Sequence, residues 1–262
     1  MPNTSPNLPP GAQPAGARTA AHTGALSLLW LLPYTLVAAA VFVALALLAL
    51  LLLLVVPTLD GRRSVPRATG RCALSLMGMP VSVRWRGELP AHCIVVANQC
   101  SYLDGVVLAA TLPPRFGFVI KREMSRVPLA GLLLARIGSY FVERGNRAGS
   151  ARDALRVMRD AASGSSLAFF PEGTFRVEPG LLRFHTGAFA AAERAQVPVV
   201  PLVIRGTRHC LRPGGFLLRP GRIEVQVLES LLPQPVHEDG AAALRDAARA
   251  AILAALEAEE NT

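Results

Sequence analysis

HCIVVANQCSYLDGVVLAATL, residues 92–112, changes its pattern midway, and this change decides the fold class. Residues 93–97 are short, apolar and β-branched in part, which is typical of a buried strand. Ser101 is a candidate helix N-cap, and Asp104 stands three residues later, in the position of a capping box. The apolar residues that follow predict a helix. A buried strand that leads into a helix is the unit from which parallel α/β sheets are built.

The same alternation continues on the C-terminal side of this stretch. From about Leu74 onward, short apolar segments that predict strands alternate with amphipathic segments that predict helices. The predicted strands lie within residues 92–99, 116–122, 139–144, 165–170, 197–206 and 221–230. We therefore predict an α/β domain with a mostly parallel, twisted sheet flanked by helices. The sequence indicates neither an internal repeat nor a second domain boundary.

The N-terminal part of the chain has a different composition. Residues 1–24 are rich in Pro, Ala, Gly, Ser and Thr, which predicts a disordered tail. Residues 25–57 contain no charged side chain. A helix needs about 20 apolar residues to span a bilayer, so this run is long enough. This run predicts a transmembrane helix that spans with tilt, or a helix that bends at Pro33 and lies partly along the interface. A re-entrant hairpin is a further alternative, and the length of the run disfavours a cleaved signal peptide. Residues 58–262 are predicted to form the α/β domain.

Charge and hydropathy indicate the kind of binding partner, and the cysteine content indicates whether a metal site or disulfides are expected. The hydrophobic content is 52% and the mean hydropathy is +0.38, which indicates a membrane protein. The net charge is +9, so we expect anionic binding partners. Four arginines follow the apolar run and favour a domain on the cytoplasmic side of the cytoplasmic membrane: Arg62, Arg63, Arg67 and Arg71. The basic residues are scattered without interleaved aromatic residues, which disfavours nucleic acid as a partner. The four cysteines form no C-x-x-C pair, so neither a zinc site nor a disulfide framework is predicted.

Four stretches lie at or after predicted strands, where α/β proteins place their chemistry. They read NQCSYLD at 98–104, GSYFVERG at 138–145, FFPEGTFR at 169–176 and VPVVPLVIRGT at 197–207. Each has a structural explanation when taken alone: a capped helix start, a solvated arginine, a tight turn and a buried strand with prolines at its edge. Their order and spacing together carry the functional information.

In that order and spacing they resemble the motifs of the glycerolipid acyltransferase family, of the lysophosphatidic acid acyltransferase type. The resemblance covers about residues 72–230 and includes FHTGAF at 184–189. It implies a glycerol-3-phosphate acyltransferase-like fold. It also implies transfer of a fatty acyl group to the hydroxyl of a lysophospholipid such as 1-acyl-glycerol-3-phosphate, in phospholipid biosynthesis. The donor would be acyl-CoA or acyl-carrier protein, and no metal or further cofactor is implied.

The resemblance assigns the substrate-binding residues as well. Arg144 would bind the acceptor phosphate through its planar guanidinium group. Glu172, Gly173 and Thr174 would shape the acceptor pocket, and Arg176 would assist. The family has arginine directly after Gly-Thr, whereas Phe175 stands there in this chain, so the role of Arg176 departs from the pattern.

The catalytic pair contains the second departure. The family has histidine as general base with an aspartate that orients it, and Gln99 and Asp104 occupy these two positions. A carboxamide cannot take up a proton near neutral pH, so reduced or lost activity is expected. Substitutes for the base are His185, Asp104 and, with less support, His92 at the far end of its strand and Cys100. The alternative is a non-catalytic relative that binds lysolipid or acyl-CoA.

Overall fold

The computed structural model describes residues 16–143, 147–234 and 239–260. The helices are α1 (Gly16–Val55), α2 (Leu59–Leu76), α3 (Asp104–Thr111), α4 (Ala130–Arg136), α5 (Arg147–Ala162), α6 (Gly187–Ala195), α7 (Thr207–Cys210) and α8 (Gly240–Glu260). The strands are β1 (Val81–Trp85), β2 (Ile94–Ala97), β3 (Phe116–Lys121), β4 (Tyr140–Val142), β5 (Ser166–Phe169), β6 (Val199–Arg205) and β7 (Ile223–Val227). A 3-10 helix covers Arg122–Arg126.

The strands form one sheet in the order β1-β7-β6-β2-β5-β3-β4. The five strands from β6 to β4 are parallel to their neighbours. β7 pairs antiparallel with β6, and β1 runs parallel to β7, so these two strands point the opposite way. The prediction of a mostly parallel sheet flanked by helices is confirmed.

The central strand β2 shows why its sequence is apolar throughout. All four residues of β2 are fully buried, because helices cover both faces of the sheet. Val95 and Ala97 pack into one core, and Ile94 and Val96 pack into the other, as the alternation of side chains along a strand requires. β2 is therefore a rigid support for the loop that follows it.

The sequence analysis did not predict four elements: β1, α2, the 3-10 helix and α7. β1 pairs with β7 at the edge of the sheet, and its alternating Val-Ser-Val-Arg-Trp sequence was a usable strand signal. α2 starts after Thr58, whose Oγ1 accepts a hydrogen bond from the Gly61 N–H at 3.2 Å. Its internal Pro66 and its glycines oppose a helix prediction. The arginines interpreted as a membrane flank lie on this helix.

α1 begins at Gly16, inside the predicted tail, and residues 1–15 lie outside the described part of the chain. Several alanines precede the apolar run and favour continuation of its helix toward the N-terminus. Within the described residues, one helix is long and apolar enough to cross a membrane: the 27 residues of α1 from Leu29 to Val55, with a mean hydropathy of 3.1.

One face of α1 packs on the α/β domain. Its buried residues recur along the helix and are Leu31, Ala38, Ala49 and Leu53, each at most 3% exposed. The Tyr34 hydroxyl donates a hydrogen bond to the Met77 carbonyl just beyond α2. The Leu218 N–H donates to Thr35 Oγ1 at 3.0 Å. α1 is thus attached to the domain along much of its length.

Candidate active site

Adjacent parallel strands bring the first and third motifs together. β2 lies between β5 and β6 in the sheet. Residues 98–104 follow β2, and residues 170–176 follow β5. Because parallel strands end at the same edge of a sheet, these two loops lie beside each other at the carboxyl edge.

Asn98 fixes the path of the chain as it leaves β2. Its side chain is buried and pairs with the backbone of Ile204 in β6. Asn98 Nδ2 donates to the Ile204 carbonyl at 3.0 Å, and the Ile204 N–H donates to Asn98 Oδ1 at 2.7 Å. The carboxamide therefore extends the ladder between these strands by one side chain and sets where the next residue, Gln99, begins.

Asp104 is fully buried beneath this loop. Its Oδ2 accepts hydrogen bonds from the Cys100 N–H at 2.6 Å and the Ser101 N–H at 2.7 Å. Its Oδ1 has no hydrogen-bond partner among the described residues. Burial raises the pKa of the carboxyl to about 6, and the nearby Thr207 hydroxyl and the two amides oppose this increase.

The predicted helix cap at Ser101 is wrong. The N-cap residue of α3 is Leu103, and no side chain caps it. Ser101 Oγ instead donates to the Leu211 carbonyl at 2.9 Å and accepts from the Leu103 N–H at 3.3 Å. The Asp104 carboxylate accepts from the Ser101 N–H, as in a capping box, but α3 begins only at Asp104, so the serine hydroxyl bonds to an amide that precedes the helix.

Glu172 connects the two motif loops. It is 3% exposed; its Oε1 accepts from the Gln99 N–H at 2.7 Å and its Oε2 from the Leu182 N–H at 2.7 Å. Burial raises the pKa of this carboxyl, and the two amide hydrogen bonds oppose the increase. Gln99 is thus held at its backbone, while its half-buried side chain stands at the position of the family base.

Comparison with known proteins decides the family. Residues 81–205 match the Acyltransferase family model. The chain belongs to the acyltransferase family. It is 29% identical over 192 residues to the 1-acyl-sn-glycerol-3-phosphate acyltransferase of Saccharomyces cerevisiae, covering 70% of this chain and 63% of that protein.

Other relatives of this chain have the same kind of name. The alpha form of 1-acyl-sn-glycerol-3-phosphate acyltransferase from Mus musculus is 32% identical over 186 residues, covering 68% of this chain and 64% of the relative. A relative from Chlamydomonas reinhardtii is 32% identical over 194 residues, covering 72% and 56%. The chain thus spans 56–64% of the length of the curated relatives described here.

A solved structure has the same fold. The crystal structure of the 1-acyl-sn-glycerophosphate acyltransferase PlsC from Thermotoga maritima superposes with a TM-score of 0.71. The match covers 89% of this chain and 96% of that protein at 20% sequence identity. This likeness supports the acyltransferase fold described above.

Two of the proposed substitute bases are disfavoured by their environment. His92 precedes β2, at the opposite end of the strand from Gln99, and its Nδ1 contacts the Gly164 carbonyl. Burial, with a further contribution from Asp104, raises the pKa of the Cys100 thiol to about 11, so no thiolate forms at neutral pH. His185, by contrast, is exposed beside the third motif. Its backbone N–H donates a hydrogen bond to the Pro171 carbonyl at 2.9 Å.

The rest of the third motif forms a turn and a surface loop. The Gly173 N–H donates to the Phe170 carbonyl at 3.0 Å, and the φ of Gly173 is +69°, which favours glycine. The side chains of Thr174 and Arg176 are exposed on the loop beyond this turn. The structure therefore brings Gln99, Asp104 and Glu172 together and leaves these two at the rim.

Phe175 has a structural role at the position where the family has arginine. Its ring packs edge-on against Tyr102 with 4.8 Å between the ring centroids. Tyr102 belongs to the first motif, so this contact adds a second connection between the two loops. Arg144, the predicted phosphate ligand, lies outside the described residues.

Three residues of the site were not predicted from the sequence. Thr207 lies in α7 directly after β6, and its Oγ1 is 3.3 Å from Cys100 Sγ. Arg208 donates to the carbonyls of Arg176 and Val177. Arg249 of α8 donates to the Leu181 and Leu182 carbonyls at 2.8 and 3.0 Å. Thr207 directly follows a strand, and this position could have identified it as a site residue. No feature of the sequence around Arg249 indicates a role in the site.

Proposed function

We propose that this chain is a membrane-associated acyltransferase that acylates a lysophospholipid of the 1-acyl-glycerol-3-phosphate type. The donor is acyl-CoA or acyl-carrier protein, and no metal takes part. The names of the relatives support the reaction class and the acceptor. Because the chain spans only part of their length, its activity and substrates remain our proposal.

The observation that carries the proposal is the retained support of the catalytic pair. Two backbone amides hold Asp104 Oδ2, while Oδ1 has no partner among the described residues. Glu172 holds the backbone of Gln99 from the other loop. A buried carboxylate oxygen without a partner is costly, and an imidazole at position 99 is the group that the family pattern would supply.

The proposed reaction joins the acceptor oxygen to the acyl group. The acceptor hydroxyl oxygen attacks the thioester carbonyl carbon, a C–O bond forms, the C–S bond breaks and the departing thiolate is protonated. Gln99 can hold the hydroxyl by a hydrogen bond but cannot take its proton. Asp104, with a pKa of about 6 and an unpartnered oxygen, is our candidate for the proton acceptor.

In this proposal Arg144 binds the acceptor phosphate, and Gly173, Thr174 and Arg176 border the acceptor pocket. The exposed position of Thr174 and Arg176 beside the turn is compatible with contacts to a bound headgroup. Glu172 contributes by positioning Gln99 rather than by contact with the substrate.

A second candidate function follows from Gln99 itself. Loss of the family histidine, with the surrounding hydrogen bonds retained, is what a non-catalytic lysolipid-binding or acyl-CoA-binding relative would show. Such a protein would need the same pocket without the proton transfer. An acyl-transfer assay separates the two functions.

For the membrane association, we propose that α1 and α2 form a hairpin within one leaflet, with the domain on the cytoplasmic side. α1 contacts the domain at Tyr34 and again at α4, so it does not leave the domain as a free perpendicular span would. α2 carries the arginines 62, 63, 67 and 71, which favour the headgroup region over the hydrocarbon core. α1 remains helical through Pro33, so the turn of this hairpin lies between α1 and α2 and not at Pro33.

The test is an acyl-transfer assay with the full-length protein in phospholipid vesicles that contain 1-acyl-glycerol-3-phosphate. Acyl-CoA and acyl-carrier protein are offered separately, and the diacyl product is measured by mass spectrometry. We expect product formation slower than about 1 per second and dependent on the acceptor phosphate. Saturable lysolipid binding without any product would instead support the non-catalytic relative.

A further inference from the structure

A second apolar surface lies beside α1, between residues 124 and 132. Four of its large side chains are 37–54% exposed: Met124, Val127, Leu129 and Leu132. We call this set the Met124–Leu132 patch. Soluble surfaces expose single apolar residues routinely, whereas four large exposed apolar side chains within nine residues make this segment a candidate binding surface. No residue of the patch belongs to the candidate active site.

The backbone of the patch is strained at Leu129. This residue has φ +61° and ψ −55°, and the Ala130 N–H donates to the Pro128 carbonyl at 2.6 Å. These values describe a γ-turn that is rare and unfavourable for a residue with a side chain. Leu129 is 41% exposed, so burial in the core of the domain does not compensate for this strain.

The patch is continuous with the apolar face of α1. An apolar cavity of about 320 Å³ separates α1 from α4, and its lining residues are Leu47, Leu50, Leu51, Leu54, Leu132 and Arg136. Leu51 and Leu54 are 63% and 65% exposed. Leu132 therefore extends the surface of the candidate membrane helix onto the α/β domain.

The charges around the patch suit anionic headgroups. Arg126 within this segment and Arg136, four residues after it, are exposed, and one acidic residue, Glu123, directly precedes it. Arg122 forms ion pairs with Glu143 and Asp153 at 3.1 and 2.8 Å and is less available to a ligand. Apolar side chains flanked by arginines are typical of segments that lie in the headgroup region of a bilayer.

We propose that the Met124–Leu132 patch inserts into the same leaflet of an anionic phospholipid bilayer as α1. Arg126 and Arg136 then contact lipid phosphates. The proposal rests on the proposed membrane association, and it gives the domain a second membrane contact far from α1 in sequence. Two contacts limit rotation of the domain about α1, so the carboxyl edge of the sheet keeps a defined orientation to the membrane.

The experiment measures how close single positions lie to acyl chains. Full-length protein with Cys72→Ser receives one environment-sensitive fluorophore on Leu132→Cys, Leu155→Cys or Leu51→Cys. Leu132 and Leu155 are matched at 54% and 55% exposure, and Leu155 lies on α5. Vesicles contain phosphatidylcholine and phosphatidylglycerol, with a quencher attached to the acyl chains.

We expect a blue-shifted, at least two-fold quenched emission at positions 132 and 51, and unchanged emission at position 155. Quenching at 51 without quenching at 132 would overturn the proposal and leave membrane association by α1 intact. Absence of quenching at both positions would overturn the proposal together with the membrane association. Disulfide formation between two Leu132→Cys copies, in place of quenching, would mean that a second copy covers the patch and would likewise overturn it.

Discussion

At the level of single residues, Gln99 stands in a site that retains its other supports. The Gln99 N–H is bound by Glu172, and this bond does not depend on the side chain at position 99. Gln99→His should therefore place an imidazole beside Asp104 without a change in the loop. We expect acyl transfer to rise by roughly 10²-fold or more, within the range of general base catalysis.

Two controls make this prediction specific. Gln99→Asn retains a carboxamide and should give no increase in rate. Gln99→His combined with Asp104→Asn should lose the gain, because the imidazole loses the carboxylate that fixes its tautomer. If Gln99→His binds lysolipid normally but transfers no acyl group, the pocket serves binding alone, and the proposed enzyme function is wrong.

Glu172 provides a second test at the same scale. Both of its oxygens accept backbone hydrogen bonds in a buried site. In Glu172→Gln one of these amides would face an NH₂ group, so we expect the free energy of unfolding to fall by about 1–3 kcal/mol and acyl transfer to weaken. Chemical denaturation in detergent measures the first effect, and the exposed Glu229→Gln serves as control. Equal stability of the two variants would contradict the connecting role of Glu172.

At the scale of secondary-structure elements, the two faces of α1 should respond differently to mutation. Ala38 is 3% exposed and packs with the domain, whereas the neighbouring Ala39 is exposed. Ala38→Phe should destabilise the protein by about 1–3 kcal/mol through overpacking, while Ala39→Phe should be nearly neutral. Thermal unfolding in detergent tests this pair, and equal midpoints would mean that α1 is an independent tether.

At the scale of the whole molecule, Asp104 should make stability depend on pH. Its folded pKa, about 6, exceeds its ordinary value of 3.8, so the folded state binds more protons between these values. Stability is therefore predicted to fall as pH rises from about 4 to 6, by up to roughly 3 kcal/mol from this group. Asp104→Asn should remove this part of the decrease.

The comparison needs denaturation curves of both proteins between pH 4 and pH 8. We expect Asp104→Asn to be more stable than the unmodified protein at pH 8 and closer to it at pH 4, while its acyl transfer is lost. An identical pH dependence in the two proteins would show that Asp104 is not buried as an unfavourable carboxylate.

The sequence by itself determined the features that neighbouring residues encode. Alternation of apolar strands and amphipathic helices predicted the sheet and its flanking helices, and the uncharged run predicted α1. The motifs also place Gln99, Asp104 and Glu172 in the candidate site, and their roles there remain predictions. The predictions of the sheet and of α1 succeed because burial and periodicity are properties of short stretches of chain.

Only the tertiary structure decided which distant groups meet. Asn98 pairs with Ile204, 106 residues away, and Arg249 holds the segment whose amide binds Glu172. Ser101 looked like a helix cap but bonds to Leu211, and α1 packs on the domain instead of leaving it. Sequence periodicity predicts that one face of an element is buried. It does not predict which element packs on that face, because this depends on the packing of the whole chain.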